Sequence, residues 1–188
     1  MPIPMIKQHW LEGARRIISP NCSERPLTSD ISLLVIHSIS LPPGEFGGPY
    51  IDQLFTNSLQ AEEHAYFEQI CRLRVSAHVL VGRNGTVTQY VPFDKRAHHA
   101  GISCYRGREA CNDFSIGIEL EGTDDSPFED VQYTALIGLT RALLAHYPTL
   151  DRDRITGHSD IAPGRKTDPG SGFDWSRYLF ALDESEAS

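Results

Sequence analysis

The stretch "SAHVLVGRNGTVTQY", Ser76 to Tyr90, constrains the fold more than any other part of the chain. Two alternating runs flank Asn84-Gly85, the pair that best tolerates the positive φ of a type I′ turn, so an antiparallel hairpin is expected. "SLLVIH" (Ser32 to His37) is short, apolar and β-branched, and reads as a buried central strand. In "FSIGIELEG", Ile116, Ile118 and Leu120 point one way and Ser115, Gly117, Glu119 and Glu121 the other. "RITGH" reads as a further short strand. From Asp130 to Tyr147 the period changes: Tyr133, Leu136, Ile137, Leu143, Leu144 and Tyr147 recur at three and four, the stripe of an amphipathic helix. "SPFE" is expected to start it, with Ser126 as cap, Pro127 at the first helical position and Glu129 closing a capping box; Pro148 ends it. "IDQLF", "AEEHAYFEQICRL" and "DWSRYLFAL" read as shorter helices, and residues 1–30 as irregular. No repeat or linker interrupts the chain. The expectation is one α/β domain over residues 1–188, a mixed central β-sheet flanked by helices, with its core at about 31–182.

Composition limits what this domain does. At 188 residues and 40% hydrophobic, the chain can bury one good core. Its 17 basic residues against 25 acidic ones give −8, whereas a duplex-binding protein concentrates positive charge, so no nucleic-acid partner is expected. No apolar run is long enough to span a bilayer, and the first residues lack the apolar core of a secretory signal; a cytoplasmic protein with no membrane partner is expected. Cys22, Cys71, Cys104 and Cys111 form neither C-x-x-C pairs nor a zinc ribbon, and read as reduced, buried thiols.

The chemistry gathers around "GHSDIAPGRKTDPG", Gly157 to Gly170. His37 and His158 each sit where an expected strand runs out into a polar, Pro/Gly-rich loop, the position from which α/β domains present side chains to a cleft. Asp168 follows His158 by ten residues, between Thr167 and Pro169. Two histidines and one carboxylate suffice for a catalytic zinc with a fourth position left for water. Neither H-E-x-x-H nor the zinc-deaminase pattern is present. Spacing alone is a weak signal, because the chain has eight histidines and a strand-end histidine is more often structural. Glu119 is either solvent-facing on an open sheet or, beside a metal, the general base that hydrolysis needs. Glu121 shares its face, and the strand does not separate the two. Lys166 reads as a solvated lysine or as a cation held against a developing oxyanion.

The segments "LLVIHSISLPPGEFGGPYID", "LRVSAHVLVGRNGTVTQYVPFDKRAHHAG", "GREACNDFSIGIELEGTD" and "GHSDIAPGRKTDPG" together resemble the zinc-dependent N-acetylmuramoyl-L-alanine amidases of the AmpD group, within the type 2 amidase and peptidoglycan-recognition fold. They span most of the chain between Ile31 and Trp175. The resemblance implies one zinc ion per chain on His37, His158 and Asp168, Glu119 beside the metal's water and Lys166 near the scissile carbonyl. It implies cleavage of the amide between the lactyl group of 1,6-anhydro-N-acetylmuramic acid and L-alanine of the stem peptide. It also implies small muropeptide substrates, cytoplasmic peptidoglycan recycling and an indirect effect on β-lactamase induction. Two other readings stand beside it: a non-catalytic module that binds peptidoglycan fragments, and a general amidase acting on intact cell wall. A monomer is expected.

The chain departs from the family pattern at Ser38, where Asn is usual after the first ligand, at His98 in "AHHAG", where a large aromatic is usual, and at Ser159, where the family has cysteine. Ser38 is nonetheless a candidate substrate contact. Tyr66 lies in a segment resembling the family's cleft wall. Arg74, Arg106 and Arg108 are candidates for the stem-peptide carboxylates, since an arginine fork matches a carboxylate; surface solubility explains them equally well. His78 sits on the hairpin, and His9, His64 and His146 read as surface or helix residues.

Overall fold

One six-stranded sheet organises the computed structural model, which describes residues 4–183. Its strands are β1 (Arg15–Arg16), β2 (Leu33–Ile39), β3 (Val79–Val81), β4 (Val87–Gln89), β5 (Ser115–Glu121) and β6 (Ile155–Gly157). They lie in the order β6-β2-β5-β3-β4-β1. Strands β6, β2, β5 and β3 run parallel, β3 and β4 form the antiparallel hairpin, and β1 lies parallel to β4 at the edge. The α-helices are α1 (Tyr50–Phe55), α2 (Phe67–Ile70), α3 (Asp130–His146), α4 (His158–Ile161) and α5 (Trp175–Asp183). This is the mixed sheet with flanking helices that the alternation of the sequence calls for.

Period-two alternation decides which face goes where. Leu34, Ile36, Val79, Val81, Ile116, Ile118 and Leu120 are fully buried on one face, against Tyr133, Leu136, Leu139 and Leu143 of α3 and Tyr178 and Leu182 of α5. Burying each aliphatic side chain stabilises the fold by about 1.5–3 kcal/mol, so this face holds most of the core energy. Gln132 fastens α3 to the sheet edge: its side-chain amide donates to the carbonyls of Val81 (3.2 Å) and Glu121 (3.0 Å). The opposite face carries two smaller clusters. Leu33 and Val35 pack with Phe114 and Ile161, and Leu80 packs with Phe55 and Phe67. On this second face β2 and β5 also present His37 and Glu119.

Several local expectations change. The hairpin forms, but Gly85 rather than Asn84 takes the positive φ, at +79°. Gly85 N–H donates to Gly82 O (2.8 Å), Gly82 N–H donates to Thr86 O (2.9 Å), and the Asn84 carbonyl oxygen accepts from Thr86 N–H (3.0 Å). The connection is therefore a three-residue loop with a glycine bulge, not a type I′ turn. Helix α3 begins at Asp130, capped by Glu129 with Gln132 as its reciprocal partner; Phe128 is buried, which draws the preceding residues into the core instead of a first turn. The expected 13-residue helix of "AEEHAYFEQICRL" is broken, because the His64 Nδ1 accepts Tyr66 N–H (3.1 Å) and competes with the helical bond. Residues read as irregular at the N-terminus contain short strands at Ile6–Lys7, Trp10–Leu11 and Cys22–Glu24 besides β1. All four cysteines are free, but Cys111 alone is buried and Cys104 is exposed. No described helix is long and apolar enough to cross a membrane.

Candidate metal centre and catalytic cleft

Register builds the site. His37 on β2 lies opposite Glu119 on β5, and Gly157 on β6 lies opposite Ile36, so His158 emerges beside His37 where β6 turns into α4. All three residues stand at the C-terminal ends of parallel strands, the end at which α/β sheets open clefts. The loop after α4 brings back the third group: Ser159 N–H donates to Asp168 O (2.9 Å). Asp160 braces the turn, its Oδ2 accepting from Gly157 N–H (2.9 Å) and Thr156 Oγ1 (3.0 Å). Gly170, at φ +78°, lies so close to residue 124 that a Cβ would come within 2.1 Å of Asp124 O. Thr167 Oγ1 donates to the Asp124 carboxylate and holds the same segment down.

The result is a triangle of atoms that could hold a metal ion. His37 Nδ1, His158 Nδ1 and Asp168 Oδ2 each lie 3.0 Å from the other two. Among the described residues no other group of histidine, cysteine and carboxylate side chains converges in this way. His158 Nε2 is 3.1 Å from Ala100 O, which can only accept, so the proton sits on Nε2 and the Nδ1 lone pair faces the centre. His37 Nε2 is 2.9 Å from His99 Nδ1, and His99 Nε2 is 3.1 Å from Ser115 Oγ.

Burial sets the electrostatics. It pushes the His37 imidazole down to about 4, so that this ring is neutral at pH 7. Burial works against the Asp168 charge too, but contact with the His158 and His37 imidazoles outweighs it and holds the carboxyl well below the usual range. Burial, reinforced by the Asp168 charge and opposed by Lys166, pushes Glu119 well above an ordinary carboxylate. Glu119 Oε2 is buried with no protein partner. These groups share a cleft of about 540 Å³, whose far wall includes Leu41, Tyr66, Ile70 and Val75.

The sequence profile of N-acetylmuramoyl-L-alanine amidases matches residues 27–171. The chain belongs to this amidase family. It is 58% identical over 174 residues to the 1,6-anhydro-N-acetylmuramyl-L-alanine amidase AmpD of Escherichia coli (strain K12), which covers 93% of this chain and 94% of that protein. A crystal structure of a Se-Met AmpD derivative superposes with a TM-score of 0.92 at 56% identity, over 95% of this chain and 99% of that one. The Escherichia coli amidase AmiD, solved with anhydro-N-acetylmuramic acid-L-Ala-D-γ-Glu-L-Lys, superposes with a TM-score of 0.59 at 31% identity, over 95% of this chain and 65% of that one.

In this amidase, His37, His158, Asp168, Glu119 and Lys166 all line one cleft, and Ser38 and Tyr66 line it with them. Ser38 Oγ donates to Asp124 Oδ1 (3.2 Å). Glu121 is separated from Glu119 by what it binds: its two carboxylate oxygens accept Gly47 N–H (2.5 Å) and Arg83 N–H (3.0 Å), outside the cleft. Arg74 stands beside the rim, with Nη1 3.4 Å from Leu73 O. Arg108 does not reach the cleft, because its guanidinium pairs with Asp30 (2.6 Å) and lies over the Phe114 ring. Arg106 is likewise turned away, donating to Asp153 O (3.1 Å). His98 lines the cleft, with Nε2 3.3 Å from Ser23 Oγ. Sequence reasoning missed His99, Ser115 and Asp124. Only Ser115 carried a local signal, as a polar residue on the face of β5 that also holds Glu119.

Proposed function

We propose that this amidase hydrolyses the amide between the lactyl group of 1,6-anhydro-N-acetylmuramic acid and L-alanine of the stem peptide, using one zinc ion on His37, His158 and Asp168. The observation that carries the reading is the 3.0 Å triangle of two imidazole nitrogens and one carboxylate oxygen beside Glu119. The donor set fits zinc: two imidazoles and a carboxylate that converge on one point are a common catalytic ligand set for it. Bound there, zinc supplies Lewis acidity, which polarises a carbonyl and makes water a nucleophile near neutral pH.

The chain's own residues do the rest. Glu119 Oε2 has no other partner, so its carboxylate is available to take a proton from the attacking water and deliver it to the leaving nitrogen. Burial and the nearby Asp168 charge favour its protonated form, which suits the second of those transfers. Lys166, exposed on the loop and facing the cleft, places a positive charge where the carbonyl oxygen turns anionic. The apolar wall with Tyr66, Ile70 and Val75 accepts the sugar–peptide junction. All these groups come from one chain, so a monomer is sufficient.

The proposed substrates are small anhydromuropeptides and the proposed compartment is the cytoplasm, where recycling delivers them. The substrate named for AmiD and the activity named for AmpD support the choice of substrate. The test pairs two measurements. Purified chain should release peptide from anhydromuramyl-tripeptide, lose that activity with a chelator and regain it with zinc. It should act poorly on intact sacculi. Activity that survives complete zinc removal overturns the metal assignment, and equal rates on both substrates overturn the recycling assignment.

A further inference from the structure

Metal-ligating histidines hold their geometry through the nitrogen that does not touch the metal. That nitrogen usually donates to a carboxylate, a backbone carbonyl or water. His158 follows the common pattern, with Nε2 donating to Ala100 O (3.1 Å). His37 does not. Its Nε2 meets another imidazole, Nδ1 of His99, at 2.9 Å, with the two rings almost perpendicular at 85°.

We infer that His99 is a positioning residue for the metal centre, acting as the hydrogen-bond acceptor that fixes the ring and tautomer of His37. The inference rests on the zinc reading above. If His37 ligates through Nδ1, its proton is on Nε2 and must be donated; His99 Nδ1 must then be bare. A bare Nδ1 requires the His99 proton on Nε2, where Ser115 Oγ lies 3.1 Å away to accept it. The series His37–His99–Ser115 thus has one consistent arrangement of protons when His37 is a ligand.

Three further features serve the same end. Asn112 Oδ1 accepts from the backbone N–H of both His99 (3.1 Å) and Ala100 (2.8 Å), so one side chain fixes the two consecutive residues on which both ligating histidines lean. Gly117 on β5 leaves the space that the His99 ring fills, since a Cβ there would lie 2.4 Å from its Cγ. Ser115 is fully buried on the same strand face, so its hydroxyl is not diverted to solvent.

The experiment measures zinc affinity of the metal-free chain by competition with a chromophoric chelator, in the parent, His99→Ala and His99→Gln. Removing such a partner typically weakens metal binding roughly 10- to 100-fold. His99→Ala should lose that much while its far-UV spectrum and melting temperature report a folded chain. His99→Gln, whose amide oxygen can accept from His37 Nε2, should recover most of it, which a role in packing alone does not predict. A folded His99→Ala chain within threefold of the parent overturns the inference and leaves the zinc reading intact. A parent that binds no zinc overturns both. Should His99→Ala fail to fold, nitrogen-15 spectra of the zinc-loaded parent decide: a bare, hydrogen-bonded His99 Nδ1 supports the assignment, and a protonated one overturns it.

Discussion

Replacing Gly117 with alanine tests the packing around the metal centre through a single methyl group. Gly117 has no positive φ, so the substitution introduces no backbone strain and only volume changes. The added Cβ would lie 2.4, 2.5 and 2.7 Å from three atoms of the His99 ring, where ordinary contact begins at 3.4 Å. The ring must therefore retreat by about 1 Å. It is held by bonds of 2.9 Å to His37 and 3.1 Å to Ser115, and retreat stretches one or both beyond hydrogen-bond length. Overpacking of this kind costs about 1–3 kcal/mol. The loss of glycine's freedom in the unfolded chain offsets about 0.4–1 kcal/mol of it. In a His99→Ala background the ring is gone and only the offset remains. Urea denaturation of the metal-free parent, both single variants and the double variant gives the coupling, expected at about 1–3 kcal/mol. If Gly117→Ala costs the same in both backgrounds, the His99 ring is not what the glycine accommodates and the reasoning fails.

Three other outcomes are expected. Glu119→Gln should lower turnover of anhydromuramyl-tripeptide by about 10²–10⁴-fold with zinc content unchanged by atomic absorption, whereas full activity would refute the role given to Glu119. Glu121→Ala removes the acceptor of the Gly47 and Arg83 N–H groups, which water can then reach; it should cost about 0.5–1.5 kcal/mol in urea melts and spare zinc binding. His78 is pushed down to about 3 by burial and by the Arg25 charge, so the unfolded chain takes up a proton there that the folded chain refuses. Stability should therefore fall as pH drops below about 6.5, by about 1.4 kcal/mol per pH unit for this residue, and His78→Gln should flatten the slope by that amount.

Much of the site was visible in the sequence because its residues sit on strands, where position and direction go together. His37 and His158 end strands, and alternation along "SIGIELE" puts Glu119 on the face opposite Ile118. Alternation also put Glu121 there, and only the structure shows that Gly47 and Arg83 occupy its carboxylate. The same loop also holds Asp160, and its hydrogen bonds to Thr156 and Gly157 show why Asp168 is the carboxylate left to face the histidines. Arg108 looked available because charge pairing across a fold leaves no mark on neighbouring residues, and its partner Asp30 is far away in the chain. The same holds for His99, whose meaning depends on His37 and Ser115 together. Short strands such as Cys22–Glu24 carry too few residues to show a period and form only because a partner, Lys95–Ala97, is brought alongside.

The bond from Ser159 N–H to Asp168 O has a consequence for how the proposed zinc would be taken up. His158 and Asp168 are separated by a loop whose closure in a free chain would oppose their meeting by roughly 2 kcal/mol. Folding closes that loop through backbone contacts and through Asp124, so an arriving cation finds both donors already adjacent. With the proposed zinc, loading and unloading would then be local exchange events that do not require the fold to open. A cell short of metal would then keep this chain as an intact, dormant reserve that resumes work as soon as the ion returns.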